Sequence, residues 1–569
     1  MKTLKWWQQA VFYQIYPRSF ADGNGDGIGD FPGMLARLDH LVELGVDALW
    51  LSPHYPSPFR DCGYDIANYT DVAPEYGSLD DFRRFLTAAH DRGLRVIIDL
   101  VLNHTSDQHP WFQASRSSRT HPQRDWYVWR DGSPDGPPNN WVSIFGGSAW
   151  TYDEATGQYY YHAFLKEQPD LNWRNPDVKA AMWHVVRFWL DLGVDGFRLD
   201  AIGTIFEHPD LLDHQFPLTR EPIIDIGVLS GEEIRQILQF QIHQAGLHEL
   251  MQELRTLVDT YPGERVLVGE DENVTFHGDG DNELHLVFNF PLMQTHALTP
   301  AHIRDNQALR LTDLPSGAWP CNTLGNHDVS RMWHRYGDGL HNDALARVHL
   351  ALLLTLRGTP FLYYGEELGM IDLQLSTLSD VRDTIALHQY RLLTEQADVG
   401  HAEALQHVLA RTRDRCRTPM QWDRSRHAGF SQASSATWLP VHPNYLQGIT
   451  VEDQTNDPQS TLSFYRQILA LRRRTPALLA GDYRVLHSHS EHYLAFLRHD
   501  ASSGQLCLVL LNFSAHVQEL TLACNRPEAR LLFSSGSRSE PQLPLPSVTL
   551  VPYEILIAEL DPCAPHASG

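Results

Sequence analysis

The segment LRVIIDLVLNH (94–104) decides the fold. Its apolar run is nearly continuous, which is typical of a strand buried on both faces of a parallel sheet. DALWLSP (47–53) and FYQIYPRSF (12–20) precede it and are also predicted to be strands. The N-terminal part of the chain therefore contains a series of buried strands.

Amphipathic helices separate these strands. A helical stripe ends at Gly45 and consists of Leu35, Leu38, Leu41 and Leu44. Ser78 and Asp81 form a capping-box signal for the next helix, and Asn175 with Pro176 marks the start of another. Strand and helix alternate, as in units that build a parallel sheet.

The series continues further along the chain. Later strand segments are DGFRLDA (195–201), RVLVGE (265–270), CNTLGNHD (321–328) and TPFLYYGEE (359–367). This many strand–helix units predict an α/β protein with a closed (β/α)₈ TIM barrel, and an open doubly wound sheet is the alternative.

Two insertions and a change of pattern divide the chain. We expect the first part of the barrel in 1–104, an inserted subdomain after strand 3 in 105–174, and the rest of the barrel in 175–480. A lid-like insertion covers 371–430. Short alternating strands from 481 to 569 predict a C-terminal antiparallel β-sandwich domain.

The composition excludes several classes of partner. The net charge is −25, from 70 acidic and 45 basic residues, which disfavours nucleic acid and anionic membranes. The six cysteines show no CxxC spacing, and no run of 18 apolar residues occurs. We expect a cytoplasmic monomer or homodimer that binds a small neutral substrate.

Polar side chains at the ends of barrel strands are the candidates for chemistry, because barrel active sites lie there. Arg198 and Asp200 are two positions apart and so point to the same side of their strand. A cation keeps a neighbouring carboxylate ionised, as a nucleophile requires, although a structural ion pair gives the same pattern. Glu270 and Asp328 end two later strands.

Glu270 follows the apolar run VLVG, which predicts a partly desolvated carboxyl that stays protonated and acts as an acid. Asp271 and Glu272 crowd it, and composition alone does not choose among the three. Three carboxylates at three strand ends are the set that retaining glycoside cleavage needs.

The motifs resemble the α-amylase family, glycoside hydrolase family 13. Those that carry the resemblance are GYDIANY (63–69), DLVLNH (99–104), GFRLDA (196–201), VGE (268–270) and LGNHD (324–328). Similarity to the α-glucosidase and oligo-1,6-glucosidase branch comes from WWQQAVFYQIYPRSF (6–20), QPDLNW (168–173) and RTPMQW (417–422).

The resemblance implies a role for each matching residue. Asp200 resembles the nucleophile, Glu270 the acid/base, and Asp328 the carboxylate that binds sugar hydroxyls. The pocket for the terminal glucose is implied to consist of Asp61, Tyr64, His104, Phe164, Arg198, His327 and Arg413. Arg415 and Arg417 lie in the same run as Arg413 and compete for its place.

The loop DGNGDGIGD (22–30) alternates oxygen ligands in the manner of an EF-hand, but a strand precedes it and position twelve is Gly33. It resembles a structural Ca²⁺ or Mg²⁺ site of this family branch, and a metal-free turn is the alternative. The implied ligands are Asp22, Asn24, Asp26, the Ile28 carbonyl and Asp30. No cofactor is expected for the chemistry.

These features predict a retaining, exo-acting α-glucosidase that releases glucose from short α-glucosides. In the family branch it resembles, Val directly after the nucleophile accompanies α-1,6 specificity and Ala or Thr accompanies α-1,4 specificity, and this chain has Ala201. Two stretches depart from close relatives, AIGTIFEH (201–208) and EDENVTFHGDGDNELH (270–285). The alternatives are a transglucosylase, an enzyme acting on isomaltose, sucrose or trehalose, or a non-catalytic transporter partner.

Overall fold

The computed structural model describes residues 4–133, 136–215, 235–395, 397, 399–523, 526–538 and 540–560. The strands, in chain order, are β1 Phe12–Ile15, β2 Ala48–Leu51, β3 Arg95–Val101, β4 Trp129–Arg130, β5 Trp150–Asp153, β6 Gln158–Tyr161, β7 Gly196–Asp200, β8 Val266–Gly269, β9 Leu286–Val287, β10 Cys321–Thr323, β11 Thr359–Tyr363, β12 Asp482–Val485, β13 Tyr493–Asp500, β14 Gln505–Asn512, β15 Gln518–Thr521, β16 Glu528–Ser534, β17 Gln542–Pro544, β18 Ser547–Leu550 and β19 Ile555–Leu560. The α-helices are α1 Trp6–Gln9, α2 Pro17–Phe20, α3 Phe31–Ala36, α4 Leu38–Leu44, α5 Leu79–Asp91, α6 Pro110–Ser117, α7 Pro176–Leu192, α8 Leu247–Asp259, α9 Phe290–Met293, α10 Pro300–Asp313, α11 Met332–Arg335, α12 Asn342–Thr355, α13 Thr384–Glu395, α14 His401–Arg411, α15 Val451–Thr455, α16 Thr461–Arg473 and α17 Pro476–Ala480.

The parallel sheet closes into a barrel. Its strand order is β10, β11, β1, β2, β3, β7, β8, β9, with parallel pairing throughout. A parallel bridge between Phe288 and Cys321 joins the β9 end of the sheet to β10. The (β/α)₈ prediction is confirmed, and the closure excludes the open doubly wound sheet.

Some predicted elements are shorter than their sequence segments. The strand predicted for 12–20 ends at Ile15, because Pro17 occupies the first turn of α2, where its missing N–H costs nothing. The leucine stripe is divided between α3 and α4 at Arg37. Gly45 ends α4 with a φ of 94°, a conformation that glycine adopts without strain.

Both long insertions follow strands at the carboxyl end of the barrel. After β3 comes a segment that carries α6 and a three-stranded antiparallel sheet in the order β4, β6, β5. After β11 comes a segment that carries α13 and α14. The insertions therefore rise around the barrel end at which functional side chains are expected.

The chain ends in an antiparallel β domain. A six-stranded sheet has the order β12, β13, β14, β19, β16, β17, and β15 pairs with β18 in a second sheet. Leu508 and Leu510 of the large sheet share a buried cluster with Val548 and Leu550 of the small one. The two sheets thus bury apolar faces against each other, as in a sandwich.

No helix among the described residues is both long and apolar enough to cross a bilayer. The thiols of Cys62, Cys321, Cys416 and Cys507 are free, and Cys524 and Cys563 lie outside the described residues.

Candidate active site

The candidate catalytic side chains lie at the carboxyl ends of the barrel strands. Asp200 is the last residue of β7, and Glu270 directly follows β8. His327 and Asp328 lie in the loop after β10, and His104 lies in the loop after β3. Parallel strands bring these positions to one end of the barrel, so residues far apart in sequence meet there.

Arg198 lies at the centre of the site. Its Nη1 donates to Asp99 at 2.6 Å and to Asp200 at 2.7 Å. Its Nη2 lies 2.7 Å from Oε1 of Glu270, whose other oxygen accepts the Ala201 N–H at 2.9 Å. One guanidinium therefore holds both predicted reacting carboxylates in place.

His327 connects this group to the next. The Gln14 amide lies 2.7 Å from Nδ1 of His327, which places the imidazole proton on Nε2 if Gln14 donates. Nε2 lies 2.8 Å from the Tyr64 hydroxyl, and that hydroxyl donates to Asp99 at 3.2 Å. The two rings stack, with centroids 5.5 Å apart.

Asp328 lies beside His327, with Oδ2 3.3 Å from the same Nε2 atom, and it contacts two arginines. Arg417 donates to it at 2.7 Å and Arg413 at 3.4 Å. Arg413 also donates to Asp61 at 2.9 Å and to Asp383 at 2.8 Å. These contacts anchor the insertion that follows β11 to the barrel end.

The remaining pocket residues complete the wall. Gln168 donates to Asp61 at 3.0 Å and lies 2.9 Å from Nε2 of His104. The rings of His104 and Phe164 are 5.3 Å apart in an edge-to-face arrangement. The structure thus brings together, through one chain of contacts, every carboxylate and pocket residue that the sequence predicted.

The three carboxylates are more exposed than the two arginines that hold them most closely. The Arg198 and Arg417 side chains are 1% and 0% exposed, whereas those of Asp200, Glu270 and Asp328 are 11%, 22% and 32% exposed. The buried cations thus hold carboxylate side chains that are partly exposed.

Burial and neighbouring charges shift the carboxyl pKa values in opposite directions. Burial raises the pKa of Asp200, and Glu270 and Asp99 add to the increase against the effect of Arg198. Burial also raises the pKa of Asp99 to about 6, again against Arg198. Three carboxylates share one cation here, so the charge is not balanced within the group.

Asp328 shows the opposite shift. Burial alone disfavours its charged form, but the nearby cationic side chains outweigh that effect and hold the pKa of Asp328 below its usual range. Burial lowers the pKa of His327 well below its ordinary value, so this imidazole is neutral near pH 7. The guanidinium groups of Arg417 and Arg413 are therefore the cause of the lowered pKa of Asp328.

The surroundings of Glu270 include polar groups. Its side chain is 22% exposed and contacts both Arg198 and the Ala201 amide, and its protonation as an acid stays a prediction. Among its neighbours, Asp271 pairs with His243, and Glu272 is exposed. Glu270 is the one of the three that faces Asp200 across Arg198.

Sequence reasoning did not assign Gln14, Asp99, Gln168 and Asp383 to the network, and it named Arg417 only as a competitor of Arg413. Asp99 interrupts an apolar strand, which was a usable signal for a buried charge with a partner. Arg415, a competitor of Arg413, points instead to Asp372 at 3.4 Å. Arg417 joins Arg413 in the site and does not replace it.

The predicted metal loop lies apart from this network. The Asp22 carboxylate accepts from the amides of Gly25 and Gly27 at 2.6 and 2.7 Å. Asp30 accepts from Gly23 and Gly33 at 2.9 and 2.6 Å and caps α3. Within the described residues, no three His, Cys, Asp or Glu side chains are grouped as metal ligands.

Comparison with known proteins extends the geometric description. The Alpha-amylase family, described as the alpha amylase catalytic domain, matches residues 14–481. An oligo-1,6-glucosidase of Parageobacillus thermoglucosidasius is 39% identical and aligns over 90% of each chain. An alpha-glucosidase of Pediococcus pentosaceus is also 39% identical, over 98% of this chain and 99% of its own.

Solved structures show the same likeness. The trehalulose synthase MutB from Pseudomonas mesoacidophila MX-45 is 37% identical, with a TM-score of 0.89 over 98% of this chain and 100% of its own. A mutant of MutB solved in complex with the substrate sucrose has the same identity and TM-score. The similarity therefore covers almost the whole chain in both sequence and structure.

Proposed function

Because this chain belongs to the α-amylase family, glycoside hydrolase family 13, and is a glycosidase, we propose that it is a retaining, exo-acting α-glucosidase. It releases glucose from the non-reducing end of short, neutral α-glucosides. The observation that carries the proposal is the pair of carboxylates, Asp200 and Glu270, held by one buried arginine and open to a ligand.

In this proposal Asp200 attacks the anomeric carbon while Glu270 protonates the departing oxygen. A covalent glucosyl-enzyme forms, and Glu270 then removes a proton from water, which attacks the same carbon and restores the original configuration. Retaining enzymes need the two carboxyl groups roughly 5–5.5 Å apart, and a shared guanidinium supports such a short separation.

Asp328 binds the sugar hydroxyls in this proposal and stabilises the positive charge that develops on the ring. Its ionised form is favoured by Arg417 and Arg413, so it offers a fixed negative charge at neutral pH. Asp61, Tyr64 and His104 supply directional hydrogen bonds to the remaining hydroxyls. Phe164 contributes an apolar face on which a sugar ring packs.

The walls of the site support the preference for chain ends. Arg413 and Asp383 belong to the insertion after β11, and Phe164 and Gln168 belong to the insertion after β3. Both insertions contribute side chains to the same network, so the glucose site is enclosed on these sides. A pocket of this kind accepts a terminal sugar and excludes the interior of a long chain.

Product analysis tests the proposal. The purified chain should release glucose from maltose and from longer maltooligosaccharides one unit at a time. With p-nitrophenyl α-glucoside, whose only sugar product is the transferred glucose, proton NMR during the first minutes should show α-glucose before mutarotation equilibrates the anomers. Initial release of β-glucose contradicts retention, and initial release of internal oligosaccharides contradicts exo action.

Linkage preference should lean toward α-1,4 bonds, with kcat/KM higher on maltose than on isomaltose. The support is Ala201, which follows Asp200 and has a φ of 41°, in the left-handed region. Ala201→Val should shift the ratio toward isomaltose about tenfold, since methylene-scale changes near a leaving group alter preference by roughly 1–3 kcal/mol.

A β-branched side chain at this φ is strained, so Ala201→Val will also lower both rates. Ala201→Thr has the same branching and is the matched control, and we expect it to keep the preference for maltose. A wild-type preference for isomaltose that Ala201→Val leaves unchanged contradicts the assignment of linkage to this residue.

The pH dependence should report the raised pKa of Asp200. The nucleophile must be ionised, so kcat/KM is full above this pKa and falls as pH decreases through it. The acid limb should therefore lie at a higher pH than an unperturbed aspartate gives. Asp99→Asn removes one negative charge that raises this pKa, so the limb should move to lower pH.

Asp195→Asn is the matched control for that measurement. Asp195 is equally buried and paired with arginines, but it precedes β7 at the opposite end of the barrel. Its substitution should leave the position of the acid limb unchanged. An acid limb that does not move in Asp99→Asn is the result that refutes the coupling.

We also propose that the loop 22–30 binds a structural Ca²⁺ or Mg²⁺ ion. The support is an all-oxygen donor set, with Asp22, Asn24, Asp26 and the Ile28 carbonyl in one short loop. A chelator should lower the melting temperature and spare the chemistry, because a ligand bound only to the folded state stabilises it. An unchanged melting temperature, with no ion detected by elemental analysis, contradicts the site.

Sucrose isomerisation is the second candidate function. The likeness to trehalulose synthase over nearly the whole chain favours it, because an isomerase transfers the glucosyl group to a sugar in place of water. Incubation with sucrose decides between the two. Free glucose and fructose as the main products support hydrolysis, and an isomeric disaccharide as the main product supports the second candidate.

A further inference from the structure

An acidic residue and a histidine form a pair directly beside the proposed acid/base. Nε2 of His243 lies 2.8 Å from Oδ2 of Asp271, and Asp271 follows Glu270 in the chain. The amide of Asn273 donates to the other oxygen of Asp271 at 2.8 Å, which fixes that carboxylate. Asp271 belongs to the stretch 270–285, and the pair takes no part in the glucose pocket described above.

The pair also contacts the turn that follows the proposed nucleophile. His243 donates its backbone N–H to the Gly203 carbonyl at 2.7 Å. A Cβ on Gly203 would lie 2.8 Å from both Asp271 Oδ2 and His243 Nε2, so a side chain at this position would collide with the pair. Gly203 lies in the other divergent stretch, 201–208. The two divergent stretches therefore meet at one point.

The position of the pair relative to Glu270 indicates which part of a substrate it faces. The glucose pocket lies on the side of Asp200 that carries Tyr64, His327 and Asp328. Glu270 contacts Arg198 and the Ala201 amide, and among the described residues it makes no hydrogen bond to Tyr64, His327 or Asp328; it protonates the leaving oxygen in the proposed mechanism. Residues adjoining Glu270 and Ala201 thus border the leaving group.

The chemistry of the pair suits hydroxyl groups. The His243 side chain is 38% exposed, and among the described residues its Nδ1 has no hydrogen-bond partner. The bond to Asp271 raises the pKa of His243, although burial opposes the shift. Nδ1 of His243, together with the remaining lone pairs of Asp271, whose side chain is 9% exposed, offers hydrogen bonds to a sugar diol.

We propose that His243 and Asp271 form a leaving-group pair, which binds the hydroxyls of the sugar on the far side of the cleaved bond. The pair determines how well a sugar leaving group, or a sugar acceptor in the reverse direction, is bound. This inference rests on the proposed function, because it assigns the other half of the same substrate.

The test compares a leaving group that has hydroxyls with one that lacks them. His243→Asn is suitable because His243 has a φ of 54°, which asparagine tolerates, and Asp271→Asn removes the charge with little change in shape. In each variant we expect kcat/KM on maltose to fall about tenfold. On p-nitrophenyl α-glucoside, whose leaving group has no sugar hydroxyls, we expect a change below about twofold.

His248→Gln is the matched control. His248 is 47% exposed, bonds to Glu283 at 2.9 Å and stacks on Phe276, the ring that also neighbours His243. It has no described contact with Gly203 or Asp271. We expect this variant to match the wild type on both substrates, and a loss on maltose equal to that of His243→Asn overturns the proposal.

The results that overturn this inference differ from those that overturn the proposed function. Equal losses on both substrates in His243→Asn and Asp271→Asn, or no loss on either, overturn the leaving-group pair and leave the glucosidase intact. A wild-type protein that cleaves neither substrate overturns the proposed function, and the inference with it. A selective loss on maltose in both variants supports the pair.

Discussion

We expect Asp200→Asn to lower kcat by on the order of 10⁴-fold or more on every glucoside, because no covalent intermediate can form. Asparagine has nearly the shape of aspartate, and its oxygen still accepts the Arg198 Nη1 bond that Asp200 accepts at 2.7 Å. The fold should therefore remain intact. Steady-state rates on maltose and p-nitrophenyl α-glucoside, measured with the melting temperature, check this expectation.

A smaller side chain at this position gives a sharper version of the test. Asp200→Ala leaves space beside Arg198 that a small anion such as azide can enter, from the face that Asp200 occupied. Attack from this face on an activated aryl α-glucoside should yield β-glucosyl azide. Azide rescue that gives the α product, or more than a few per cent of wild-type activity in a folded Asp200→Asn protein, contradicts the assignment.

The sequence was sufficient to predict the barrel because seven of its eight strands are encoded locally, whereas the two-residue strand β9 was not predicted. The apolar run in β3 and the Gly45 stop after α4 are short-range signals that tertiary packing does not override. The end of β1 was harder to predict. Pro17 is compatible both with an extended segment and with a helix start, and the backbone of the preceding residue alone does not distinguish them.

Site residues at or just after strand ends were predictable from the sequence, and those in the two insertions were harder to predict. Asp200, Glu270 and His327 lie at or just after barrel strands, and the topology places all such positions at one end. Asp383 and Gln168 lie in the two insertions, whose path over the barrel has no repeating pattern. Their partners Arg413 and Asp61 are distant in sequence, so nothing local reveals the contacts.

The environment of Glu270 shows what local sequence does not reveal. The preceding VLVG run is buried inside the barrel wall, and the side chain beyond it contacts a cation that is distant in sequence. Proton donation by Glu270 in the proposed mechanism therefore takes place beside a guanidinium. The charge of Asp200 disappears on glucosylation, and Arg198 then has one fewer anion to hold.

The loss of the Asp200 charge beside Arg198 links the two steps of the proposed mechanism. Before attack, Arg198 holds Asp99, Asp200 and Glu270 together, and burial raises the pKa of Asp200. After attack, Asp200 is an ester, and the carboxylate of Glu270 is the group that must accept a proton from water. The same cation therefore lies beside the base in the step that follows.

Glu270→Gln should separate these two steps. We expect kcat/KM on maltose to fall by about 10²–10⁴-fold, because a sugar leaving group needs a proton and glutamine has none to give. An aryl glucoside with a good leaving group needs little protonation, so its first step should be nearly spared. The second step lacks its base, so glucosyl-enzyme should accumulate, visible as a burst of p-nitrophenol and as a mass increase of one glucosyl unit.

Glu272→Gln is the control within the same acidic run. Glu272 is exposed, and among the described residues its side chain has no hydrogen bond to the network, so its substitution should leave both steps unchanged. Azide gives a further test of Glu270→Gln. It attacks the accumulated glucosyl-enzyme without a general base and should therefore release the glucosyl group as α-glucosyl azide. Burst kinetics in Glu272→Gln with wild-type behaviour in Glu270→Gln would transfer the acid/base role to Glu272.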